Sequence, residues 1–256
     1  MASEIDLSSL NRALEALPEK FKGPGGVAGV VADGKVVARQ AWGYADMASG
    51  QAMTAATRLP ICSISKQFTC GVLLDLVGDP ARLDARVGDF LPRFEGRRPT
   101  IANFCNMQSG LRDYWALTVT QGAHPEGVFG RADAKPLLAR MRTPHFEPGS
   151  SYSYSNGNFR ILSDLLEDHA GRSLAELYAE RLFGRAGMET ALLTADTSKP
   201  VDGVVGYEGN NEVGFFPATN RIYWTGDAGI SASLEDMLAW ERYIDATRDD
   251  AEGLYR

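Results

Sequence analysis

The sequence contains few cysteines, and none of them has the spacing of a disulfide framework or a zinc knuckle. Its 256 residues include only Cys62, Cys70 and Cys105, which are widely separated and form no CxxC pair. An odd number of scattered cysteines is typical of free thiols in a reducing compartment. We therefore predict free thiols, no metal site and a cytoplasmic location.

Long apolar runs and an excess of positive charge are also missing. No stretch of about 20 apolar residues occurs, as a membrane-spanning helix would need. The opening residues, MASEIDLSSL, lack the apolar core of a secretion signal. The formal net charge of -7 disfavours nucleic acids and anionic membranes as partners. With 44% hydrophobic residues, the chain can bury a sizeable core.

Strand patterns are scarce beside helical ones. Residues 27–43 alternate around Asp33-Gly34, which predicts one β-hairpin with a tight turn. Apolar steps of three and four predict helices over 7–17, 99–107, 134–142, 158–169, 174–183 and 233–244, and one from Ser63 onward. Loops rich in Gly, Pro and polar residues are expected at 118–133 and 196–220. Because two strands alone are marginal and none is predicted after residue 220, we expect an incomplete sheet.

Ser63 and Lys66 stand three residues apart where an apolar helical pattern begins. One interpretation is a helix cap with a solvated lysine, because an SxxK tetrapeptide arises by chance in a chain of this length. Residues three apart also share one helix face, with Cβ atoms about 5–6 Å apart. The free N–H groups of a helix N-terminus favour developing negative charge. The apolar flanks favour a buried lysine, whose neutral amine can take the serine proton.

A second polar segment, Tyr154-Ser155-Asn156, precedes the predicted helix at 158–169. It can be an ordinary loop in which an asparagine caps the helix and the tyrosines pack. It can also supply chemistry, with Tyr154 carrying a proton for Ser63 and the leaving group. Asn156 would then donate a side-chain hydrogen bond to Lys66 or to a substrate amide.

The two segments together resemble the motifs of the penicillin-recognising serine hydrolases. That superfamily includes class C β-lactamases, D-alanyl-D-alanine carboxypeptidases, esterases and D-aminopeptidases. The segments around the motifs are similar to bacterial D-aminopeptidases from near the N-terminus to the last residue, in LPICSISKQFTCGVLLD, NMQSGLRDYWAL, HFEPGSSYSYSNGNFRIL and GFFPATNRIYWTGDAGISASLEDM.

The resemblance implies an α+β, β-lactamase-like catalytic domain over residues 1–256, with a helical subdomain and an antiparallel sheet flanked by helices. It implies a serine hydrolase that releases N-terminal D-residues, preferably D-alanine, from peptides, amides and esters. Ser63 would be acylated, Lys66 and Tyr154 would move the proton, and Asn156 would orient Lys66 and the substrate. The resemblance implies no cofactor. It also implies that the protein can form a homodimer. A carboxypeptidase, esterase or β-lactamase activity stays open.

The sequence departs from the family in its third motif, a His-x-Gly triplet on a strand beside the site. The only such triplet, His169-Ala170-Gly171, ends a predicted helix, where Gly171 is expected as a C-cap. The resemblance places the genuine motif beyond residue 256, with further strands, a second oxyanion donor and two β-barrel domains. We therefore expect an N-terminal portion of a longer D-aminopeptidase, and a non-catalytic peptide-binding module stays open.

Other residues near the motifs are weaker candidates. Gln108 and Asp227 match loops around the family site and are predicted to bind substrate, although turn chemistry or structural hydrogen bonding explains each equally well. Cys62, next to Ser63, is expected to pack in the interior. A Ser–His–Asp triad is disfavoured, because no GxSxG elbow occurs and His124 and His145 fall in loops.

Overall fold

The structure, a computed structural model, describes residues 6–250 together with residues 253 and 254. Helices dominate this part of the chain. In chain order they are α1 (Leu7–Glu15), α2 (Leu17–Lys20), α3 (Ser65–Val77), α4 (Val87–Phe90), α5 (Ile101–Cys105), α6 (Tyr114–Thr120), α7 (Arg131–Ala139), α8 (Asn156–Ala170), α9 (Leu174–Tyr178), α10 (Gly184–Ala186) and α11 (Leu234–Thr247).

The strands form three small antiparallel sheets. They are β1 (Gly25–Ala32), β2 (Lys35–Asp46), β3 (Gln51–Ala52), β4 (Leu59–Pro60), β5 (Leu192–Leu193), β6 (Tyr207–Asn210), β7 (Gly214–Pro217) and β8 (Ile230–Ala232). The sheet orders are β1-β2-β3, β4-β8-β5 and β6-β7. The antiparallel sheet and the helical subdomain match the predicted fold class.

The long hairpin confirms the pattern around Asp33-Gly34. Strands β1 and β2 pair from Gly25↔Gly43 to Ala32↔Lys35. Asp33 and Gly34 have φ angles of 47° and 70°. A two-residue turn with both φ angles positive matches the right-handed twist of the flanking strands, and Asp-Gly adopts it with little strain.

The prediction that strands are absent after residue 220 is wrong. Strand β8 lies between β4 and β5, so it joins residues near Ser63 to a distant part of the chain. The predicted loop at 196–220 also contains the β6–β7 hairpin. Strands of two to four residues are too short to show alternation in sequence, which explains both errors.

The core forms around α3 and α8. Helix α3 buries Phe68, Val72 and Leu73, and α8 buries a continuous apolar face that includes Leu165. Trp240 of α11 packs on Phe68 with ring centroids 4.7 Å apart. Each fully buried side chain of this size contributes about 1.5–3 kcal/mol, so α3 enters the site as a rigid element.

Helix ends agree with several predicted boundaries. Gly171 has a φ of 65°, and its N–H donates to the carbonyl of Glu167, 2.8 Å away. The His169-Ala170-Gly171 triplet is therefore a helix end, as predicted. Ser233 and Asp236 form the capping box that begins α11. The predicted helix at 174–183 changes into a π turn after Tyr178.

Among the described helices, none has both the length and the apolar character to cross a membrane.

Candidate active site

Ser63 and Lys66 face each other at the start of α3. Ser63 lies in a 3-10 turn, Cys62–Ile64, and the α-helix begins at Ser65. Lys66 Nζ lies 3.0 Å from Ser63 Oγ, which is within hydrogen-bonding distance. Ser63 is exposed, but Lys66 is only 7% exposed. The interpretation of Lys66 as a solvated first-turn lysine is therefore wrong.

Lys66 is surrounded by three oxygen atoms. Besides Ser63 Oγ, its Nζ donates to Asn156 Oδ1 at 2.9 Å and to the backbone carbonyl of Asp227 at 2.6 Å. The ring of Tyr154 covers another side, with its centroid 4.9 Å from Nζ. A buried ammonium needs all three of its N–H donors paired, and these oxygens supply the three acceptors.

Tyr154 lies on the open side of Ser63. Its phenol oxygen is 2.6 Å from Ser63 Oγ, and the side chain is 43% exposed. The loop that carries it is held by Met107, whose carbonyl accepts the N–H of Ser153 at 2.9 Å and whose sulfur accepts that of Ser155. Tyr154 can therefore contact both the nucleophile and a substrate that approaches from solvent.

Asn156 is the first residue of α8, and its backbone is held by Asp113, which was not predicted from the sequence. Its backbone N–H donates to Asp113 Oδ2 at 2.5 Å. The other oxygen of Asp113 accepts the N–H of Ala116 at 2.8 Å and so caps α6. One carboxylate thus joins the starts of two helices. An Asp immediately before an aromatic-rich run was the available signal, since Asp is a preferred N-cap.

Asp227 contacts Lys66 through its backbone carbonyl, whereas its side chain is directed toward Tyr114. The carboxylate is fully buried and accepts the Tyr114 hydroxyl at 2.6 Å and the Thr225 N–H at 2.7 Å. Burial, and then the charge of Asp227, raise the pKa of Tyr114 well above its usual range. The structure therefore corrects the predicted substrate contact: the carboxylate has a structural role, because no substrate can reach it.

Gln108 lies beside the loop that leads to Tyr154. Its carbonyl accepts the N–H of Gly149 at 2.8 Å, and its side chain is half-buried. Within the described residues, no hydrogen bond engages its side-chain amide. The amide is thus available, and a substrate contact by Gln108 stays a prediction.

The predicted interior position of Cys62 is wrong. The residue is exposed and has a φ of 48°, so the tight turn before Ser63 directs it outward. Desolvation raises the pKa of its thiol, against a smaller opposing effect of Lys66. A raised pKa reduces the thiolate fraction that a cysteine nucleophile needs, so Ser63 stays the better candidate.

A cavity of about 820 Å³ is lined by Cys62 and Ala228, the chain neighbours of Ser63 and Asp227. Arg58, Tyr207 and Trp224 also line it, whereas Ser63, Lys66 and Tyr154 do not. Its volume falls within the range of about 300–1,000 Å³ that small-molecule sites occupy.

In the described part of the chain, neither a histidine nor a group of candidate metal ligands is placed at Ser63. All three histidines, His124, His145 and His169, are exposed, and the hydrogen bonds of Ser63 Oγ go to Tyr154 and Lys66. Across residues 6–250 and 253–254, no group of three or more His, Cys, Asp or Glu side chains could hold a metal ion.

Comparisons with known proteins agree with the geometry. The family model described as Beta-lactamase matches residues 10–255. The chain is 66% identical over 252 residues to a D-aminopeptidase of Cereibacter sphaeroides, covering 98% of this chain and 49% of that protein. It is 58% identical over 254 residues to a D-aminopeptidase of Brucella anthropi, again covering 49% of the relative.

The fold also matches solved structures. A D-amino acid amidase from Ochrobactrum anthropi SV3, solved with L-phenylalanine bound, superposes with a TM-score of 0.76 at 19% identity. The match covers 96% of this chain and 73% of the amidase. Identity at this level supports the fold alone. The chain spans about half the length of the curated relatives it matches.

Proposed function

Because the chain belongs to the beta-lactamase family, we propose that it is a serine hydrolase that is acylated on Ser63 and acts on peptides, amides or esters with an N-terminal D-residue. One observation carries the proposal: Ser63 Oγ lies within hydrogen-bonding distance of both Lys66 Nζ and the Tyr154 hydroxyl. Two proton-transfer groups on one serine oxygen, at the start of a buried helix, are what an activated nucleophile requires.

The acceptors around Lys66 determine where its lone pair points. In the form that acts as a base, Lys66 is a neutral amine with two N–H groups and one lone pair. Asn156 Oδ1 and the carbonyl of Asp227 can only accept hydrogen bonds, so they take the two N–H groups. The lone pair then faces Ser63 Oγ, which has a proton to give. The site thus orients the base toward its nucleophile.

The reaction follows from this arrangement. Ser63 Oγ forms a bond to the substrate carbonyl carbon while its proton passes to the Lys66 amine, and the carbonyl oxygen takes up the electron pair. The dipole of α3, which begins two residues after Ser63, favours that negative charge. The carbonyl then re-forms, the leaving amine or alcohol departs with a proton passed on through Tyr154, and an ester on Ser63 remains. Water cleaves that ester by the same route in reverse.

The preference for a D-residue is proposed from the relatives. Proteins named D-aminopeptidases are 58–66% identical to this chain across nearly all of its length. The cavity beside Cys62 and Ala228 has room for a residue and its leaving group. A free amine on that residue also suits the negative overall charge of the chain.

Mass spectrometry of the intact chain tests the proposal. D-alanine p-nitrophenyl ester should add one alanyl group to Ser63, and Ser63→Ala should stay unmodified. L-alanine p-nitrophenyl ester, a β-lactam and a D-Ala-D-Ala peptide separate the aminopeptidase from its relatives in the superfamily. Equal labelling by the two alanine enantiomers would refute the D-preference, and labelling that survives in Ser63→Ala would refute the nucleophile. Binding without acylation would identify a peptide-binding module.

A further inference from the structure

We propose that Tyr114 is a positioning residue for Lys66, acting through the buried carboxylate of Asp227. The inference rests on the proposed acylation of Ser63. Tyr114 itself touches none of the groups that exchange the proton. Its hydroxyl donates to Asp227 Oδ2 at 2.6 Å, and the carbonyl of Asp227 accepts from Lys66 Nζ at the same distance.

The backbone before Asp227 is fixed from two helices. The carbonyl of Gly226 accepts the Thr69 hydroxyl of α3 at 2.7 Å, and its N–H donates to the Ser163 hydroxyl of α8 at 2.9 Å. These contacts locate the segment. The N–H groups of Ala228 and Gly229 donate to the carbonyl of Thr225 at 3.3 and 2.8 Å and close the turn around Asp227, so the carbonyl that Lys66 needs moves with this turn. The side chain of Asp227 connects the turn to a third element.

Two residues donate hydrogen bonds to that side chain, one from the same turn and one from a separate helix. Thr225 donates its N–H to Oδ1 at 2.7 Å and its hydroxyl at 3.3 Å, but it belongs to the same turn and moves with it. Tyr114 belongs to α6, so it ties Asp227 to a separate element. The ring of Tyr114 is fully buried and stacks on Phe129 with centroids 5.4 Å apart. The phenol is therefore a fixed donor.

Electrostatics adds a second reason for this contact. A buried carboxylate that lacks a donor is costly, and it seeks the nearest available one. The Lys66 amine already donates an N–H to the backbone carbonyl of the same residue. Without the Tyr114 hydroxyl, the carboxylate competes for that N–H and draws Nζ away from Ser63. Tyr114 thus keeps Asp227 satisfied, and it leaves Lys66 to the serine.

The test compares two tyrosines in the full chain. Tyr114→Phe should lower the maximal rate of Ser63 acylation by D-alanine p-nitrophenyl ester roughly 10–100-fold, because a misplacement of about 1 Å at a catalytic group costs about 10²-fold. The ester concentration for half-maximal rate should stay within about 3-fold, since no binding contact is removed. Tyr243→Phe is the control: the ring of Tyr243 stacks on Trp240 with centroids 5.6 Å apart, and its hydroxyl accepts the N–H of Leu254 at 3.4 Å. It should lose stability with little change in rate.

A double variant separates positioning from general damage. Tyr114→Phe with Asp227→Asn removes the unpaired charge and should recover part of the lost rate. Normal acylation in Tyr114→Phe, or an equal loss in Tyr243→Phe, overturns the inference while the proposed function stands. No acylation of the unmodified chain overturns both.

Discussion

Replacing Lys66 by methionine should separate the chemistry of the site from its stability. Methionine has a similar length and no proton-accepting nitrogen. A positioned general base contributes about 10²–10⁴ in rate, so Ser63 acylation should slow by that factor, equivalent to about 3–5.5 kcal/mol in the barrier. The free energy of unfolding should change much less, because two effects of the surroundings of Lys66 oppose each other.

Two opposing terms set the stability of Lys66→Met. The carbonyls of Asn156 and Asp227 lose their donor, at about 1–3 kcal/mol for each group left unpaired. The variant also avoids burying an ammonium that is only 7% exposed, a cost of several kcal/mol. These terms are similar in size, so the free energy of unfolding should change by less than about 2 kcal/mol.

The assay is the rate of mass gain with D-alanine p-nitrophenyl ester, measured beside a melting curve for each variant. Lys22→Met is the control, because Lys22 is 60% exposed and, among the residues that the structure describes, pairs only with Glu19 at 3.9 Å. Its acylation rate should equal that of the unmodified chain. If Lys66→Met reacts within about 3-fold of the unmodified chain, the lysine is not the base.

Three further predictions follow from nearby contacts. Tyr154→Phe should slow acylation by amides more than by activated esters, because an amine needs a proton to leave; equal slowing with both substrates would argue against a proton carrier. Gly226→Ala should lower both the melting temperature and the acylation rate, since a Cβ would stand 2.5 Å from Thr69 Oγ1; unchanged values would show that the segment adjusts. Burial alone would raise the pKa of Asp236, but hydrogen bonds from Thr190 and Ser233 lower it overall. Asp236 therefore stabilises the fold above about pH 4 and stops doing so as pH falls through the lowered pKa, so the deficit in the melting temperature of Asp236→Asn should shrink in acid.

The sequence predicted the part of the site that lies on one helix. Ser63 and Lys66 meet because residues three apart share a face, and their apolar flanks indicated burial. The segment at Tyr154 was connected to them only through the family resemblance. Nothing in local sequence reports a contact across 91 positions, so spacing alone left the ordinary loop interpretation open.

Residues that contact the site through hydrogen bonds to Asn156 and Asp227 were harder to predict. Asp113 and Tyr114 lie at the start of α6, a helix rich in β-branched and aromatic residues that the apolar pattern missed. The error at Cys62 has a different cause. Its apolar neighbours suggested the interior, whereas a positive φ turns the residue toward the cavity. Side-chain direction in a tight turn depends on backbone angles that composition does not encode.

Acylation of Ser63 and release of the acyl group can be measured separately in this chain. Ser63, Lys66 and Tyr154 all lie within a chain that spans about half the length of its curated relatives. Acylation needs a nucleophile, a base and a leaving group, and the proposed nucleophile and base are in contact here. Deacylation needs a water molecule that is activated to attack the ester carbonyl. An oxyanion forms in both half-reactions, and losing one oxyanion donor costs about 10²–10³ in the rate of either. A burst of one acyl group per chain followed by slow release would therefore place the defect in the activation of water.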